Sequence, residues 1–411
     1  MLYKALSKIF YAKKEEHKRI YEQRFSAPFS VHLPFEIKEF NHNNSFTAFY
    51  YYPEELVLLL EQIYASHNKL LNIVNSLPLL VVKQFGLSCI VDEVYSTSAI
   101  EGIHSTHREL KEILEGSSHN KHFSSIIRKY EILTHDEIIN FTSPQDIRSF
   151  YDEFTHEDII ADNPKNKLDG KIFRLESVDV RNHSGKILHR GVFPEESIIS
   201  AMELALNILH DEKVPSLVRI ALFHYLFVYI HPFYDGNGRT ARFISSYFLS
   251  KYFNYLPALR LACVIKKQQS IYYELIHNTE REINCGDLTP FIMGFCTFCY
   301  ETILDVCNTL TNEAKQIHLY ETKLFEAFSD DKFALDLCLI LLYASSFFGQ
   351  GLTIENLMQH TGKSRNTIKR KLALLPEKSL TVIKQNRKIF YKLNTLSILN
   401  SPKISNNNIL H

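Results

Sequence analysis

Twelve consecutive residues concentrate the chemistry of this sequence: His231, Pro232, Phe233, Tyr234, Asp235, Gly236, Asn237, Gly238, Arg239, Thr240, Ala241 and Arg242. Pro232 cannot continue a helix and biases the residue before it. The helix through Phe223, Leu226, Phe227 and Ile230 is therefore predicted to stop at His231, with extended backbone there and the imidazole presented from its end. Gly236 and Gly238 around Asn237 permit positive φ and close backbone approach, so successive N–H groups can converge as an anion nest. A helix expected from about Arg239 adds unpaired amides and a positive dipole end. Arg239 and Arg242, at i and i+3, project from one face of its first turn. This set suits a polyphosphate, with Asp235 able to hold Mg²⁺ and His231 able to take a proton from an attacking hydroxyl. The plainer alternative is an interhelical turn with a buried histidine and surface arginines. A lone histidine would favour that alternative; nine specified positions in twelve, each with a compatible role, favour anion chemistry.

The elements that must position this run are mostly helical. Leu56, Leu59, Leu60, Ile63 and Tyr64 recur at helical spacing, and an apolar helix is expected over Leu80–Tyr95. Ser143 followed by Pro144 gives the next helix an N-cap and an N1 proline. Further helices are expected from Glu195, over Ser216–Ile230, Arg239–Tyr252 and Gln268–Ile283, and from Leu288 to about Leu310. One segment departs from this pattern. Phe173–Val180 alternates, Asn182, His183, Ser184 and Gly185 form a turn, and Lys186–Phe193 returns, which predicts a β-hairpin. Residues 1 to about 52 are polar and aromatic, with an amphipathic start and an irregular stretch expected around His32–Asn44.

After a charged bridge at Thr311–Lys332 the character changes. A short helix at Thr353–His360, a tight turn at Thr361, Gly362 and Lys363, a second helix at Ser364–Leu375 and strands at Leu380–Ile383 and Ile389–Leu393 give the order of a winged helix-turn-helix, with Gln385 and Asn386 in the turn between the strands. Within 361–393, ten basic residues (Lys363, Arg365, Lys369, Arg370, Lys371, Lys378, Lys384, Arg387, Lys388, Lys392) face one acid, Glu377. That local field suits contact with DNA, or a solvated basic face on a dimer module. Gly362, Lys363 and Ser364 imitate the end of a P-loop, but Leu357 stands where its first glycine is needed.

Over all 411 residues, 46 Lys and Arg cancel 46 Asp and Glu, so any polyanion affinity must be local. The 45% apolar content with 13 Gly and 13 Pro reads as ordered and helix-rich. Seven cysteines suit free thiols in a reducing compartment, and Cys296 and Cys299 sit in an apolar helical stretch without a second metal-binding pair. Lys8 interrupts the N-terminal apolar run, and the windows Leu77–Val82 and Leu337–Phe348 are shorter than the ~20 residues of a membrane span. No export signal and no membrane contact are expected, and the cytoplasm is the expected location.

The run 231–242 resembles the Fic family motif HPFx(D/E)GNGRxxR and matches it at every specified position. The likeness extends to the preceding helix Ala221–Ile230, to the hairpin after Gly170, Phe173 and Arg174 as the family's flap, and to Tyr272, Tyr273 and Gly286–Thr289 as its closing segment. Thr97, Ser98, Ala99, Ile100, Glu101 and Gly102 resemble its inhibitory (S/T)xxxE(G/N) element. The resemblance implies a mainly α fold: a Fic-type helical bundle with a β-hairpin flap, plus the C-terminal winged helix-turn-helix. The chain then divides into a helical region at 1–115, a catalytic domain at 116–310, a connecting helix or linker at 311–332, a winged-helix domain at 333–395 and a polar tail at 396–411.

The same resemblance implies Mg²⁺-dependent transfer of AMP from ATP to Ser, Thr or Tyr hydroxyls of a target protein or of the chain itself. His231 would be the base, Asp235 the Mg²⁺ ligand, Gly236, Asn237 and Gly238 the phosphate cradle, and Arg239 and Arg242 the neutralisers of departing pyrophosphate. Relatives that move phosphate or other groups depart from the motif, and this sequence shows no such departure. Glu101 would inhibit by occupying Arg242, Tyr272 and Tyr273 would line the adenine pocket, and the hairpin at 178–193 would dock the target. Two other functions stay open: a DNA-binding regulator working through 361–393, and removal of AMP by a water that Glu101 orients.

Overall fold

The computed structural model describes residues 3–116, 123–135, 137–181, 185–347, 349, 351–376, 378–385 and 388–395. The expected turn residues Asn182, His183, Ser184 and Asn386, the charged residues Glu377 and Arg387, and the tail at 396–411 lie outside these. The chain forms two compact units, Met1–Asn68 with Ile90–Leu304, and Lys69–Cys89 with Asp305–His411. Neither unit has a boundary at 115/116, because the N-terminal residues share a unit with the residues that follow.

In the first unit the helix Ser216–Ile230 is central, and apart from Ser216 and Val228 all its residues are buried. Such a helix has no polar stripe, so it must be covered on all sides. The helices Glu195–His210 and Asn237–Tyr252 flank it, while Tyr225 and His224 meet Phe291 and Phe295 of the helix Thr289–Ala327 at ring distances of 5.1 and 4.9 Å. That last helix corrects the reading of the sequence in two ways. It absorbs most of the charged bridge, and by length and composition it is apolar enough to cross a bilayer, although half of its most apolar window is buried. Ser143 caps Pro144–Tyr151 as expected, in a capping box with Asp146.

The stretch expected to be irregular is instead a hairpin, β1 (Val31–Lys38) antiparallel to β2 (Ser45–Tyr50). Pro34 obscured the alternation that buries Leu33 and Ile37. The ladder tolerates it because the register shifts between His32 and Glu36, so Pro34 owes no hydrogen bond. Phe49 then donates to the Gly286 carbonyl at 3.0 Å and accepts from the Leu288 amide at 2.8 Å. Gly286 is required there: its φ is +77°, and a Cβ would stand 2.6 Å from the Thr47 carbonyl oxygen.

The expected flap is shorter than the alternation suggested, with β3 (Asp179–Arg181) paired to β4 (Ile187–Arg190). Residues 171–176 are diverted from the ladder by side-chain bonds described below. The second unit contains the helices Lys332–Ser345, Ile354–Thr361 and Arg365–Ala373 and a sheet ordered β5 (Leu352–Thr353), β7 (Lys388–Leu393), β6 (Leu380–Gln385). Leu337, Leu341, Leu357, Ile368 and Leu393 make its core.

The N-terminal segment is held by a buried acid. Asp287 caps the Thr289 amide at 2.9 Å and accepts from Arg24 at 3.4 Å and from the Tyr3 hydroxyl at 3.3 Å. Asp287→Ala should lower the unfolding free energy by about 3 kcal/mol, the scale for stripping one partner from a buried ion pair. Asp287→Asn, which keeps the cap, should cost less, and denaturant unfolding of both variants measures the difference.

Candidate nucleotide site

His231 ends its helix in the left-handed region, φ 53° and ψ 61°, not extended as the sequence suggested. Pro232 disfavours right-handed helical backbone at this position, but the left-handed alternative still lets the His231 amide reach the Phe227 carbonyl at 3.0 Å. The conformation costs a non-glycine residue energy, so neighbours must hold it. Arg174 does so. Fully buried, its guanidinium donates to the carbonyls of His231 at 2.9 Å, Glu176 at 2.6 Å and Val192 at 2.8 Å. Arg174 is itself set by the acid Glu195, which accepts from the amides of Lys171, Ile172 and Phe173 at 3.2, 2.8 and 2.9 Å. Burial opposes ionisation of Glu195, but these bonds prevail and lower its pKa.

The flap is tied to the same helix end. Val192 donates to the Ile230 carbonyl at 3.0 Å. His189 meets the Tyr229 carbonyl at 2.6 Å and Glu280 at 3.2 Å through its two ring nitrogens. Burial would neutralise this imidazole, yet Glu280 raises its pKa, and two acceptors call for two N–H groups.

The half-buried imidazole of His231 places Nδ1 3.2 Å from the Val228 carbonyl. An N–H on Nδ1 donates there, which leaves Nε2 as the lone-pair nitrogen. Burial first, then the charge of His189, pushes the pKa down to about 4. The imidazole is therefore neutral at pH 7.

In the loop, Gly236 has φ 80° and ψ 4°, and the helix starts two residues earlier than expected, at Asn237. The Asn237 side chain closes the turn on itself, accepting from the Phe233 amide at 2.9 Å and donating to the Phe233 carbonyl at 2.8 Å. Its part in a cradle is to hold the amides in place. Asp235 keeps its side chain 43% exposed, with Oδ1 3.8 Å from buried Arg239. The Nε of Arg239 has no hydrogen-bond partner among the described residues.

Arg242 is 1% exposed and faces the end of the helix Leu79–Ile100. It donates to Thr97 Oγ1 at 2.9 Å, to the Thr97 carbonyl at 3.0 Å and to Glu101 Oε1 at 2.6 Å. Burial would lower its pKa, but the Glu101 charge overrides this and raises it. Gly238 makes the approach possible, since a Cβ there would lie 2.2 Å from Glu101 Oε1. Side chains sequence reading did not single out fix the glutamate: Lys266 donates to the Ala99 carbonyl and Gln269 to the Ile100 carbonyl, both at 3.1 Å. Further up this helix, buried Glu93 accepts from the amides of Ala262 at 2.8 Å and Cys263 at 3.2 Å, and burial raises its pKa to about 7.

The two tyrosines differ. Tyr272 is 2% exposed, with its hydroxyl 2.8 Å from His224 Nε2, and His224 Nδ1 lies 2.9 Å from Ser245. Tyr273 is 44% exposed, with its hydroxyl 3.4 Å from the Ile100 carbonyl. The structure thus places Asp235 near Arg239 and Glu101 against both Gly238 and Arg242, in the turn and helix that directly follow His231. Arg174, Glu195, Lys266 and Gln269 leave no signal in spacing, because each acts on backbone carbonyls or amides that only folding brings near.

Residues 134–249 match the model of the Fic/DOC family. A protein adenylyltransferase Fic of Drosophila ananassae is 29% identical over 224 residues, covering 52% of this chain and 40% of that protein. Its counterpart in Drosophila virilis is 28% identical over 234 residues, 54% of this chain and 44% of that protein. The chain thus spans less than half the length of these curated relatives. A solved Fic family protein from Desulfovibrio desulfuricans G20 shares the fold, with a TM-score of 0.51 and 17% identity over 83% of this chain and 96% of that one.

Arg174→Met should leave several carbonyls without their donor and lower stability by about 2–4 kcal/mol. Arg174→Lys, whose ammonium cannot reach three carbonyls in a plane, should recover only part of this. Denaturant unfolding compares the two.

Proposed function

We propose, with a Fic/DOC domain at residues 134–249 as premise, that this chain transfers AMP from ATP to a Ser, Thr or Tyr hydroxyl of a protein, itself included, and that Glu101 restrains it. The observation that carries this reading is a neutral His231 with Nε2 available, set beside a glycine loop and two buried guanidiniums. In the reaction the target oxygen attacks the α-phosphorus and its proton passes to Nε2. The bond from the α-phosphorus to the bridging oxygen breaks, and pyrophosphate leaves with that electron pair. Loop amides, Arg239 and Arg242 stabilise the charge that builds on the departing oxygens. Transfer of AMP, as against phosphate, is supported by the naming of the relatives as adenylyltransferases.

Asp235 suits Mg²⁺. It offers a hard carboxylate oxygen with nearly half its side chain exposed, and among the described residues no group of three or more metal-ligating side chains could hold a metal ion by itself. A cation of this kind takes one or two protein oxygens and draws the rest from phosphates and water. When bound it would neutralise phosphate charge. Tyr273, with its partly exposed ring, is the better candidate of the pair for the adenine, while Tyr272 positions the helix core through His224.

Restraint follows from charge. Glu101 sets a carboxylate oxygen 2.6 Å from the buried guanidinium of Arg242, and a γ-phosphate that needs Arg242 must displace it. The protein target would dock on the flap at 178–193, where a two-stranded ribbon keeps an unpaired edge for β-augmentation. The basic stretch at 361–393 favours one further contact, with DNA or with a second copy of the chain, and it underlies the reading of the protein as a DNA-binding regulator.

Glu101→Gly should raise AMP incorporation from labelled ATP about tenfold or more, which corresponds to roughly 1.4 kcal/mol of barrier. Adding Arg242→Ala should erase the gain, because both changes act on one pair. Adding His231→Ala should abolish transfer while ATP binding persists. An unchanged rate in Glu101→Gly removes the inhibitory role. Accumulation of AMP only on a target that the parent strips transfers the glutamate to the reverse reaction.

The pH profile supplies a second test. His231 must be neutral to act, and its pKa is depressed to about 4. In Glu101→Gly, kcat/KM should stay flat through neutral pH and fall only as pH drops towards that value. A limb near the ordinary histidine pKa of about 6.5 would instead describe an exposed imidazole.

A further inference from the structure

Exposed cations of the second unit lie on the outer face of one helix and on the tip of the hairpin that follows it. On the helix Arg365–Ala373, Ile368 and Leu372 are buried at 0% and 6%, while Arg365, Asn366, Lys369 and Arg370 are exposed. Positions 365 and 369, and 366 and 370, are four apart, so the four side chains form two adjacent rows on the face opposite the core. Lys371 is not among them, because Asp331 holds it at 2.6 Å. The β6–β7 hairpin follows in the chain, and exposed Lys384 and Lys388 lie on its last two rungs, in the pairs Lys384↔Ile389 and Gln385↔Lys388, so they stand on opposite faces of the ribbon. Glu355 pairs with Arg365, and both side chains are more than half exposed. Such an ion pair is worth little and does not cancel the surface.

We propose that this unit binds double-stranded DNA, with the helix Arg365–Ala373 in the major groove and Lys384 and Lys388 reaching phosphates on either side of the hairpin. The inference rests on the reading of 361–393 as a contact surface and decides between the two partners named for it. Size and chemistry both fit. A helix about 10–12 Å across enters a groove about 12 Å wide. Its nine residues span about 13 Å, the length of about four base pairs. Asn366 and Arg370 carry the two side-chain types that form paired hydrogen bonds with adenine and with guanine edges, and Lys369 beside them is a phosphate cation.

Charge favours the duplex over a second copy. No acid lies on these elements among the described residues, so a second copy would have to meet this face with a different, acidic patch, whereas a duplex offers phosphates along its whole length. At physiological salt the attraction acts within about 8 Å of this surface.

The test uses the full chain and a labelled random-sequence duplex about two helical turns long, with the dissociation constant followed by anisotropy from about 50 to 200 mM salt. The parent should bind at the low end and weaken steeply. The quadruple variant Lys369→Gln, Arg370→Gln, Lys384→Gln, Lys388→Gln should lose at least tenfold in affinity, with a log–log salt slope smaller by about two to three units, three phosphate cations at ~0.9 each. Circular dichroism and AMP transfer in the Glu101→Gly background should be unchanged, which separates this proposal from the transferase reading. No binding at low salt, an unaltered slope in the variant, or equal affinity for duplex RNA would each overturn it. Dissociation of an oligomer by the same four changes, without DNA binding in the parent, would keep the contact surface and reject the duplex.

Discussion

A guanidinium that is 1% exposed must have its donors met by the protein, and at Arg242 the first unit meets them with a hydroxyl, a carbonyl and a carboxylate. Thr97 fixes the orientation of the group through its hydroxyl and carbonyl, and Glu101 supplies the charge. The glutamate takes its present position beside position 238, where a side chain would crowd it. The second glycine of the loop therefore serves both the path of the backbone and the volume that the carboxylate fills. Glu93, Lys266 and Gln269 bind the helix that carries Glu101 and its end, which holds the carboxylate on this side of the guanidinium.

A second buried cation performs the complementary task. Arg174 gathers carbonyls from the flap side and from the end of the helix Ser216–Ile230, and so holds His231 in left-handed backbone with its Nδ1 turned to Val228. Flap and imidazole are thereby registered to one another before any ligand arrives. Charged groups with several partners do this work better than apolar packing, because hydrogen-bond geometry specifies direction while dispersion specifies only distance. The same logic explains why the asparagine of the loop spends its amide on Phe233.

The second unit shows how far net charge misleads. Cancellation over the whole chain hides a helix whose outer face carries cations and whose inner face carries Ile368 and Leu372. Sequence alone shows the excess of lysine and arginine, and helical spacing sorts it onto a surface. Only the ion pair of Lys371 with Asp331 removes one of those cations from the count, and the two residues are far apart in the chain.

By itself the sequence determined the helical character, the ends of the helix Ser216–Ile230, the capped start at Ser143 and the residues of the loop, because periodicity, caps and glycine or proline constraints act within a few residues. It also placed Glu101 as the partner of Arg242, through a resemblance between short motifs. Tertiary structure decided the rest. The β1–β2 hairpin was hidden by Pro34, which is harmless only where the register shifts. His231 took left-handed backbone because Arg174 and the Phe227 carbonyl stabilise it against the intrinsic preference before proline. Tyr272 and Tyr273, alike in sequence, were separated into core and surface by the turn of one helix. Arg174, Glu195, Lys266 and Gln269 act on main-chain atoms from distant segments, and main-chain atoms carry no sequence signature. Contacts of that kind become legible only when the chain is folded.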